Sequence, residues 1–479
     1  MAWREIFRKA LGGIAWNTAV QCVDRIVGMA SGLLMAYYLS RYLGVEGYGK
    51  YGTVLAFVPL FRIVAEWGLD TVATREIAQR RDRANHYVGT LLVLKGFLCL
   101  AAVGLCWLVL AVMYYPVDTA AAIRIYSMVL LFVALESIDV IFYVDQRINF
   151  AMVAGIAGTL ANLLLLFVVI ARDLGLTGIV TSALIAMGVR YALVVLFSRR
   201  LVRPALGVDL ALWRALAREA WPIGASGVCV ALYNGATVLL LSKLADERAV
   251  GIYIAGARIP AALGFIPIAV INTVFPLFSR YAVSDPGMLA RIYARVTDLI
   301  ILAALPLAVG LTLLAPRVIG FLYGQRFGEA SAVLQVMMWQ AAAAFVAMVG
   351  AFLMVALGEQ KTNLAIAVLS TALLVGGNVL VIPRWSYLGA VWVGLGTQVA
   401  TLLCITAFLK WRANLVPSLV AVGKAGVAAA AAGLVVHLAG DASPIWGVLG
   451  GALLYAGLMP LMGAIRVADL RLLLWRAEG

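Results

Sequence analysis

Long apolar runs recur from one end of the chain to the other, and each of them is long enough to cross a lipid bilayer. A helix needs about 20 largely apolar residues in a row to span the hydrocarbon core. The runs lie at residues 13–39, 49–70, 89–114, 121–144, 151–171, 178–198, 222–243, 250–279, 296–316, 330–357, 363–383, 388–409, 420–439 and 444–465. Lipid offers the backbone no hydrogen-bond partners, so spanning segments of this kind form helices. We therefore predict an all-α polytopic membrane protein with about fourteen transmembrane helices.

The composition supports this prediction and excludes a soluble enzyme. Hydrophobic residues make up 64% of the 479 residues, only 13% are charged, and the mean hydropathy is +1.01. So few polar side chains cannot cover the surface of a water-soluble protein of this size. The five cysteines all fall inside apolar runs without metal-ligand spacing, which is typical of small apolar filler residues.

The net charge of +14 has a topological explanation. With the amino terminus inside, most Lys and Arg residues fall in loops on the cytoplasmic side, as the positive-inside rule predicts. We therefore place both termini in the cytoplasm and attribute the charge to membrane orientation rather than to nucleic-acid binding. The first apolar run is too long for a signal peptide and no cleavage site follows it, so we expect it to remain as helix 1.

Short matches relate the two halves of the chain. The segment Gly49-Lys50-Tyr51 recurs 202 residues later as Gly251-Ile252-Tyr253, and residues 145–149 match residues 359–363 at an offset of 214. Six helices per copy give both copies the same orientation, so the repeats are parallel, about an axis along the membrane normal. The predicted organisation is a lobe of helices 1–6 at 1–200, a cytoplasmic linker at 201–221, a lobe of helices 7–12 at 222–412, and helices 13–14 with a cytoplasmic tail at 413–479.

Helix 1 carries a stripe of polar groups although it must cross the membrane. These groups recur at steps of three and four residues, which places them on one helical face. They are Asn17, Gln21, Asp24, Gly28 and Ser31. Arg25 lies beside them, and a charge at membrane depth costs at least about 2.5 kcal/mol, so it is expected to face water or a partner. The stripe is either the wall of a hydrated cavity, which we favour, or a packing seam between helices.

Other predicted helices also contain charges. Arg62, Glu66 and Asp70 follow at steps of four on helix 2, so Arg62 and Glu66 can pair in cis, whereas Asp70 is expected at the outer interface. Glu136 and Asp139 share one face of helix 4 and are either a proton or cation site or counter-charges for an arginine. Charges nearer helix ends are expected to join helices by ion pairs or to reach the headgroups. They are Lys95, Arg190 and Asp298.

Three arginines that lie well inside their runs indicate an anionic substrate. They are Arg25, Arg62 and Arg258. Arginine stays protonated and binds phosphate oxygens bidentately, so a cavity lined by three guanidinium groups suits a phosphate or diphosphate. Neutral hydrogen-bonding groups suited to sugar hydroxyls are Asn17, Gln21, Ser31, Asn234 and Asn272. Carboxylates that could couple transport to H⁺ or Na⁺ are Asp24, Glu66, Glu136 and Asp139. We predict no catalytic residue, cofactor or metal site.

Several segments resemble one family of transporters. Residues 39–52 (LSRYLGVEGYGKYG) are similar to the helix 1–2 junction of the polysaccharide flippases, the Wzx-like group of the multidrug/oligosaccharidyl-lipid/polysaccharide exporter superfamily. Residues 74–78 (TREIA) are similar to its first cytoplasmic loop, and residues 251–253 and 388–391 to its second-half counterparts. The resemblance covers the whole chain, but only the junction is moderately specific.

The resemblance implies a sugar or oligosaccharide on a polyprenyl diphosphate, moved from the cytoplasmic to the outer leaflet of a bacterial or archaeal cytoplasmic membrane. It also implies that Arg25, Arg62 and Arg258 engage the diphosphate, that helices 13–14 hold the lipid tail, and that the protein is a monomer with a polysaccharide polymerase as a candidate partner. Related lipid II flippases carry a second arginine on helix 1, where this chain has Ser31 and Gly32, so lipid II itself is disfavoured. The alternatives are a cation-coupled multidrug antiporter and, less favoured, a membrane glycosyltransferase or O-antigen ligase.

Overall fold

The computed structural model describes the backbone of residues 2–145, 147–415, 419–438 and 444–461, and the side chains of residues 20, 23–145, 147–415, 422–438 and 449–461. Over these residues the chain is helical and contains no strand. The helices are α1 (Ala2–Glu66), α2 (Leu69–Gln79), α3 (Ala84–Val112), α4 (Val117–Ser127), α5 (Glu136–Val144), α6 (Ile148–Ala171), α7 (Gly175–Ser198), α8 (Leu210–Leu244), α9 (Glu247–Leu263), α10 (Phe265–Ser284), α11 (Pro286–Tyr323), α12 (Ala330–Ala356), α13 (Gln360–Ala413), α14 (Leu419–Leu438) and α15 (Pro444–Leu461). The all-α membrane fold that the sequence predicts is confirmed.

Ten helical stretches of the described chain are long and apolar enough to cross a membrane, and two shorter apolar helices lie at Val422–Leu438 and Leu449–Leu461. Two of the ten, Val23–Gln79 and Gln360–Ala413, have 57 and 54 residues. At a rise of about 1.5 Å per residue, each is about 80 Å long, more than twice the thickness of a hydrocarbon core. Each of these two stretches can therefore cross twice, while the total of fourteen crossings stays a prediction.

Both long stretches change direction at a single residue instead of through a loop. In α1 the break is at Gly44, with φ 67° and ψ −173°, and in α13 it is at Ser386, with φ 48° and ψ −137°. The conformation of Gly44 belongs to a region that only glycine enters without strain. The connections expected between helices 1 and 2 and between helices 11 and 12 are therefore shorter than the apolar runs indicate.

The predicted helix 4 is not a continuous α-helix. Its first part is α4 and its last part is α5, and between them Met128–Leu135 form a 3₁₀ helix of eight residues. Runs of 3₁₀ helix longer than three or four residues are uncommon, because their hydrogen-bond geometry is poorer than that of an α-helix. This unusual segment leads directly into Glu136, one of the residues singled out in the sequence.

The chain divides into two compact units, Met1–Gly251 and Ile252–Gly479. The first has two apolar cores, one around Leu91, Phe142 and Tyr191 and the other around Phe57 and Cys106. A core of the second unit brings α11, α14 and α15 together through Ile301, Ala428 and Met459. The first unit ends after the first turn of α9, and the lobe boundaries drawn from the sequence stay predictions.

The non-helical part of the predicted linker is fixed to the first unit. Arg81 donates to both carboxylate oxygens of Asp145, at 2.8 and 2.7 Å, and to the carbonyl of Leu201 at 3.3 Å. The carbonyl of Asn85 accepts from the amide of Ala205 at 2.9 Å. Helix α8 then starts at Leu210, so the second half of the predicted linker is helical.

A carboxylate caps the start of α8. Asp209 accepts from the amide of Leu212 at 2.9 Å and contacts His86 at 3.1 Å. The amide of Leu212 first, and then His86, hold the pKa of Asp209 below its usual range. Aspartate is a favoured N-cap because it satisfies an amide that has no partner within the helix. The start of α8 is therefore set by its own sequence and does not require a lipid environment.

Candidate functional site

Arg62 lies at the centre of a charged cluster inside the first unit. Its Nε donates to Glu66 Oε2 at 3.1 Å, and its Nη2 donates to Glu136 Oε2 at 2.6 Å. The other oxygen of Glu136 accepts from the hydroxyl of Tyr191 at 3.0 Å. The side chain of Glu136 is only 15% exposed, so this carboxylate depends on its two partners for the hydrogen bonds that water would give. The cis pair of Arg62 and Glu66 that the spacing predicts is present, and Glu136 completes it from α5.

A second pair lies one helical turn further along α5. Asp139 accepts from Arg190 of α7 at 3.5 Å through Oδ2. Its Oδ1 is buried and has no hydrogen-bond partner, and neither has Nε of Arg190. The ring of Tyr191 stacks on Phe132 with centroids 5.6 Å apart and an interplanar angle of 10°. The 3₁₀ segment that contains Phe132 therefore packs directly against the helix that supplies the partners of both acids.

A third pair involves a lysine that is fully buried. Nζ of Lys95, on α3, donates to Asp70 Oδ2 at 2.7 Å, and the Lys95 side chain has no exposed surface. The expectation that Asp70 lies at the outer interface is wrong, because this residue lies on α2 and is bonded to the same end of α3 as Lys95. The expectation that Lys95 and Arg190 serve as ion pairs between helices agrees with these contacts.

The three pairs do not balance in formal charge. Arg62, Lys95 and Arg190 supply three positive charges, and four carboxylates face them. These carboxylates are Glu66, Asp70, Glu136 and Asp139. Moving a lone charge out of water is costly, so an excess acid in such surroundings either takes up a proton or a cation or keeps contact with water.

The polar stripe of helix 1 is described only in part. Asp24 and Arg25 lie on α1, where Arg25 is not covered by protein, and neither residue has an ion-pair or hydrogen-bond partner among the described residues. Ser31 is 4% exposed and therefore packs inside the unit. The side chains of Asn17 and Gln21 lie outside the described residues. Of the three predicted arginines, Arg25 and Arg62 thus belong to the first unit.

The remaining predicted residues are distributed over both units. Asn234, on α8, is exposed in the first unit, and Asn272, on α10, is exposed in the second. Arg258, on α9 of the second unit, is also exposed, and within the described part of the chain it has no ion-pair partner. Convergence of Arg25, Arg62 and Arg258 on one substrate stays a prediction. No group of three or more His, Cys, Asp or Glu side chains that could hold a metal ion occurs within the ranges that the structure describes.

The sequence reasoning did not identify Tyr191, although Tyr191 bonds to Glu136 and closes the cluster. It directly follows Arg190, so the dipeptide Arg190-Tyr191 in an apolar run was the available signal. A tyrosine in such a run is usually core, and only its distance to Glu136, 55 residues away in sequence, shows the polar role. The cluster therefore includes one hydroxyl that spacing alone does not reveal.

Comparison with solved structures identifies the fold. The lipid II flippase MurJ in an inward closed conformation has a TM-score of 0.77 and 12% identity over 95% of this chain and 99% of that protein. An inward-facing multidrug resistance MATE family transporter of the MOP superfamily has a TM-score of 0.66 and 18% identity over 82% of this chain and 94% of its own. The Vibrio cholerae MATE transporter VcmN gives 0.53 and 16% identity over 82% and 99%. At these identities the likeness establishes the fold of a multi-pass membrane protein.

Comparison at the sequence level identifies the family. No curated protein is significantly similar to the chain over its sequence. The family described as polysaccharide biosynthesis protein, however, matches residues 10–282, which include α1, the charged cluster and the first unit. This match covers more than half of the 479 residues. The chain is therefore a member of the polysaccharide biosynthesis protein family and has the fold of the MOP-superfamily transporters.

Proposed function

We propose that the protein is a flippase that moves a sugar or oligosaccharide linked to a polyprenyl diphosphate from the cytoplasmic to the outer leaflet. The observation that carries this proposal is the unpaired charge of Arg25 within the apolar span that begins at Val23. A cation at membrane depth is unfavourable unless it faces water or an anion, so Arg25 fits a position that an anionic cargo visits. Membership of a polysaccharide biosynthesis family makes a glycan-bearing diphosphate the cargo of choice.

Arg258 supports the same proposal from the second unit. It also lies in an apolar span, Glu247–Ser284, and within the described ranges it has no counter-ion. Guanidinium groups bind phosphate oxygens through paired N–H donors, which a lysine cannot do with the same geometry. Two unpaired arginines therefore favour a phosphate-bearing cargo over a cationic drug.

Arg62 would have to change partners in order to bind cargo. Glu66 and Glu136 both occupy its donors in this arrangement. Glu66 is the more exposed of the two, with 40% of its side chain accessible against 15% for Glu136, so it is the partner that a diphosphate can replace. The proposed cycle is alternating access, in which cargo binding weakens the pair of Arg62 and Glu66 while Glu136 keeps Arg62 in place.

The first experiment measures diphosphate binding directly. We expect Arg25→Gln and Arg258→Gln each to weaken binding of undecaprenyl diphosphate in nanodiscs about tenfold or more, because a hydrogen bond to a charged group contributes about 1.5–3 kcal/mol. Native mass spectrometry or a fluorescent displacement assay gives the affinity. Arg124→Gln, an exposed arginine on α4, is the control and should leave binding unchanged. Wild-type affinity in both test variants would refute the diphosphate assignment.

The excess acid of the cluster supplies the second candidate function, a cation-coupled multidrug antiporter. Four carboxylates against three cations suit a site that takes up H⁺ or Na⁺, and such a site is also compatible with a flippase driven by an ion gradient. Transport of organic cations by purified protein, without binding of undecaprenyl diphosphate, would decide for the antiporter.

Asp139 is the best candidate for ion coupling. Glu66 and Glu136 are engaged by Arg62, whereas Asp139 keeps one buried oxygen without a partner. We expect Asp139→Asn to remove the dependence of transport on an imposed pH or Na⁺ gradient in proteoliposomes while undecaprenyl diphosphate still binds. Asp118→Asn, which alters a more exposed acid that pairs with Lys50, is the matched control. Unchanged gradient dependence in Asp139→Asn would remove this residue from the coupling step.

A further inference from the structure

Two glycines that correspond in the internal repeat touch each other in the first unit. Gly49 lies in the second segment of α1, and Gly251 lies at the end of the first turn of α9, 202 residues later. A Cβ atom on Gly49 would overlap the carbonyl oxygen of Glu247, and a Cβ atom on Gly251 would overlap that of Val45. Val45 and Glu247 are also 202 residues apart, so the contact is reciprocal.

The backbone positions confirm this reciprocity. A Cβ on Gly49 would lie 3.0 Å from the amide nitrogen of Gly251, and a Cβ on Gly251 would lie 3.2 Å from the amide nitrogen of Gly49. Real Cβ atoms are not found in overlap with backbone, so only glycine fits at either position. The two helices therefore meet backbone to backbone, and any added carbon must push them apart.

The next turn beyond each glycine is buried as well. Thr53 is 1% exposed, and Ala255, its counterpart in the repeat, is 0% exposed. The hydroxyl of Thr53 has no hydrogen-bond partner, although a buried hydroxyl normally finds one. Separation of the helices would give this hydroxyl water, so the closed contact contains a group that favours opening.

Two features make the contact suitable for repeated opening and closing. Close glycine contacts are held by dispersion and weak Cα–H···O interactions, not by an ion pair that would have to be broken. Gly44 breaks α1 five residues before Gly49, with a positive φ of 67°, so the second segment of the helix begins close to the contact. Equal surfaces on both repeats also allow the contact to close in one register only.

We propose that Gly49 and Gly251 form the closed gate at one end of the transport pathway. The proposal rests on the alternating-access function given above, since a gate is needed only if the pathway opens to the two sides in turn. In the closed state the glycine contact excludes water and ions because no gap remains between the backbones. In the open state the second segment of α1 and the first turn of α9 separate and expose Thr53.

The test uses a cysteine at Thr53 as a reporter of opening, in a variant whose five natural cysteines are replaced by alanine. Thr53→Cys is reacted in sealed vesicles with a membrane-impermeant maleimide added to either side. With Gly49 and Gly251 intact we expect slow modification, and with Gly49→Val or Gly251→Val at least tenfold faster modification from one side only. Gly104→Val, at a glycine with open space around its Cβ position, is the control and should not change the rate.

The outcome separates a gate from ordinary helix packing. If folded Gly49→Val and Gly251→Val proteins lose thermal stability but keep Thr53→Cys unreactive, the contact is packing only and the proposal is overturned. If the valine variants do not reach the membrane, Gly49→Ala and Gly251→Ala replace them, with the same criterion. The labelling needs no substrate, so it can succeed when undecaprenyl diphosphate binding fails, and the gate and the cargo assignment are tested separately.

Discussion

Replacing Arg62 with methionine should abolish glycan export and lower the stability of the protein by about 2–4 kcal/mol. Removing one partner of a fully buried ion pair costs about 3–5 kcal/mol, and we expect less here because 37% of the Arg62 side chain is accessible. Glu136 would keep the hydroxyl of Tyr191 but lose its only cation. Unfolding in detergent gives the stability, and accumulation of lipid-linked sugar on the inner leaflet of cells gives the export defect.

The neighbouring acid distinguishes a binding role of Arg62 from a purely structural one. If Arg62 exchanges Glu66 for the diphosphate, Glu66→Gln should strengthen binding of undecaprenyl diphosphate several-fold, because one competing carboxylate is neutralised. If Arg62 only joins α1 to α5, Glu66→Gln should leave that affinity unchanged. Normal export by Arg62→Met would contradict both roles.

Lys95→Met should produce the largest loss of stability among single substitutions of the cluster, about 3–5 kcal/mol. Lys95 has no exposed surface, and its removal leaves the carboxylate of Asp70, which is 24% exposed, without its cation. The other oxygen of Asp70 already has no partner, so it cannot compensate. The measurement is reversible unfolding of purified protein, compared with wild type under the same detergent conditions.

A double substitution and an exposed pair provide the controls for Lys95. Asp70→Asn combined with Lys95→Met should recover more than half of the loss, because no unpaired charge remains. Lys50→Met also removes a lysine from an ion pair, with Asp118 at 2.5 Å, but this pair is partly exposed and should contribute only about 0–1 kcal/mol. Equal losses for Lys95→Met and Lys50→Met would show that burial of the pair is not what matters.

Local spacing predicted those parts of the cluster that lie within one helix. Arg62 and Glu66 are four residues apart, and their hydrogen bond follows from helix geometry alone. Apolar run length likewise predicted the all-α membrane fold, because about 20 apolar residues in a row have few other solutions. Glycine 44 was less accessible: the runs on either side of it end at 39 and resume at 49, whereas the helix continues through with a single break.

Partners that come from distant helices could not be predicted in this way. Glu136 lies 74 residues from Arg62, and Arg190 lies 51 residues from Asp139, so their pairing depends on how helices pack. The assignment of Asp70 to the outer interface failed for the same reason, since only the packing of α2 on α3 brings it to Lys95. The residues 128–135 (MVLLFVAL) contain no Pro or Gly that would signal a 3₁₀ helix. That conformation depends on tertiary contacts such as the stacking of Phe132 on Tyr191.

The winding of this segment fixes the register of both acids on α5. Eight residues are about 16 Å long as a 3₁₀ helix and about 12 Å long as an α-helix, and the two windings differ by about 160° of rotation over that length. The distance of 2.6 Å between Arg62 and Glu136 therefore belongs to one winding only. Rewinding Met128–Leu135 as α-helix would draw α5 toward α4 and turn Glu136 and Asp139 away from their arginines together, as a screw moves along its thread.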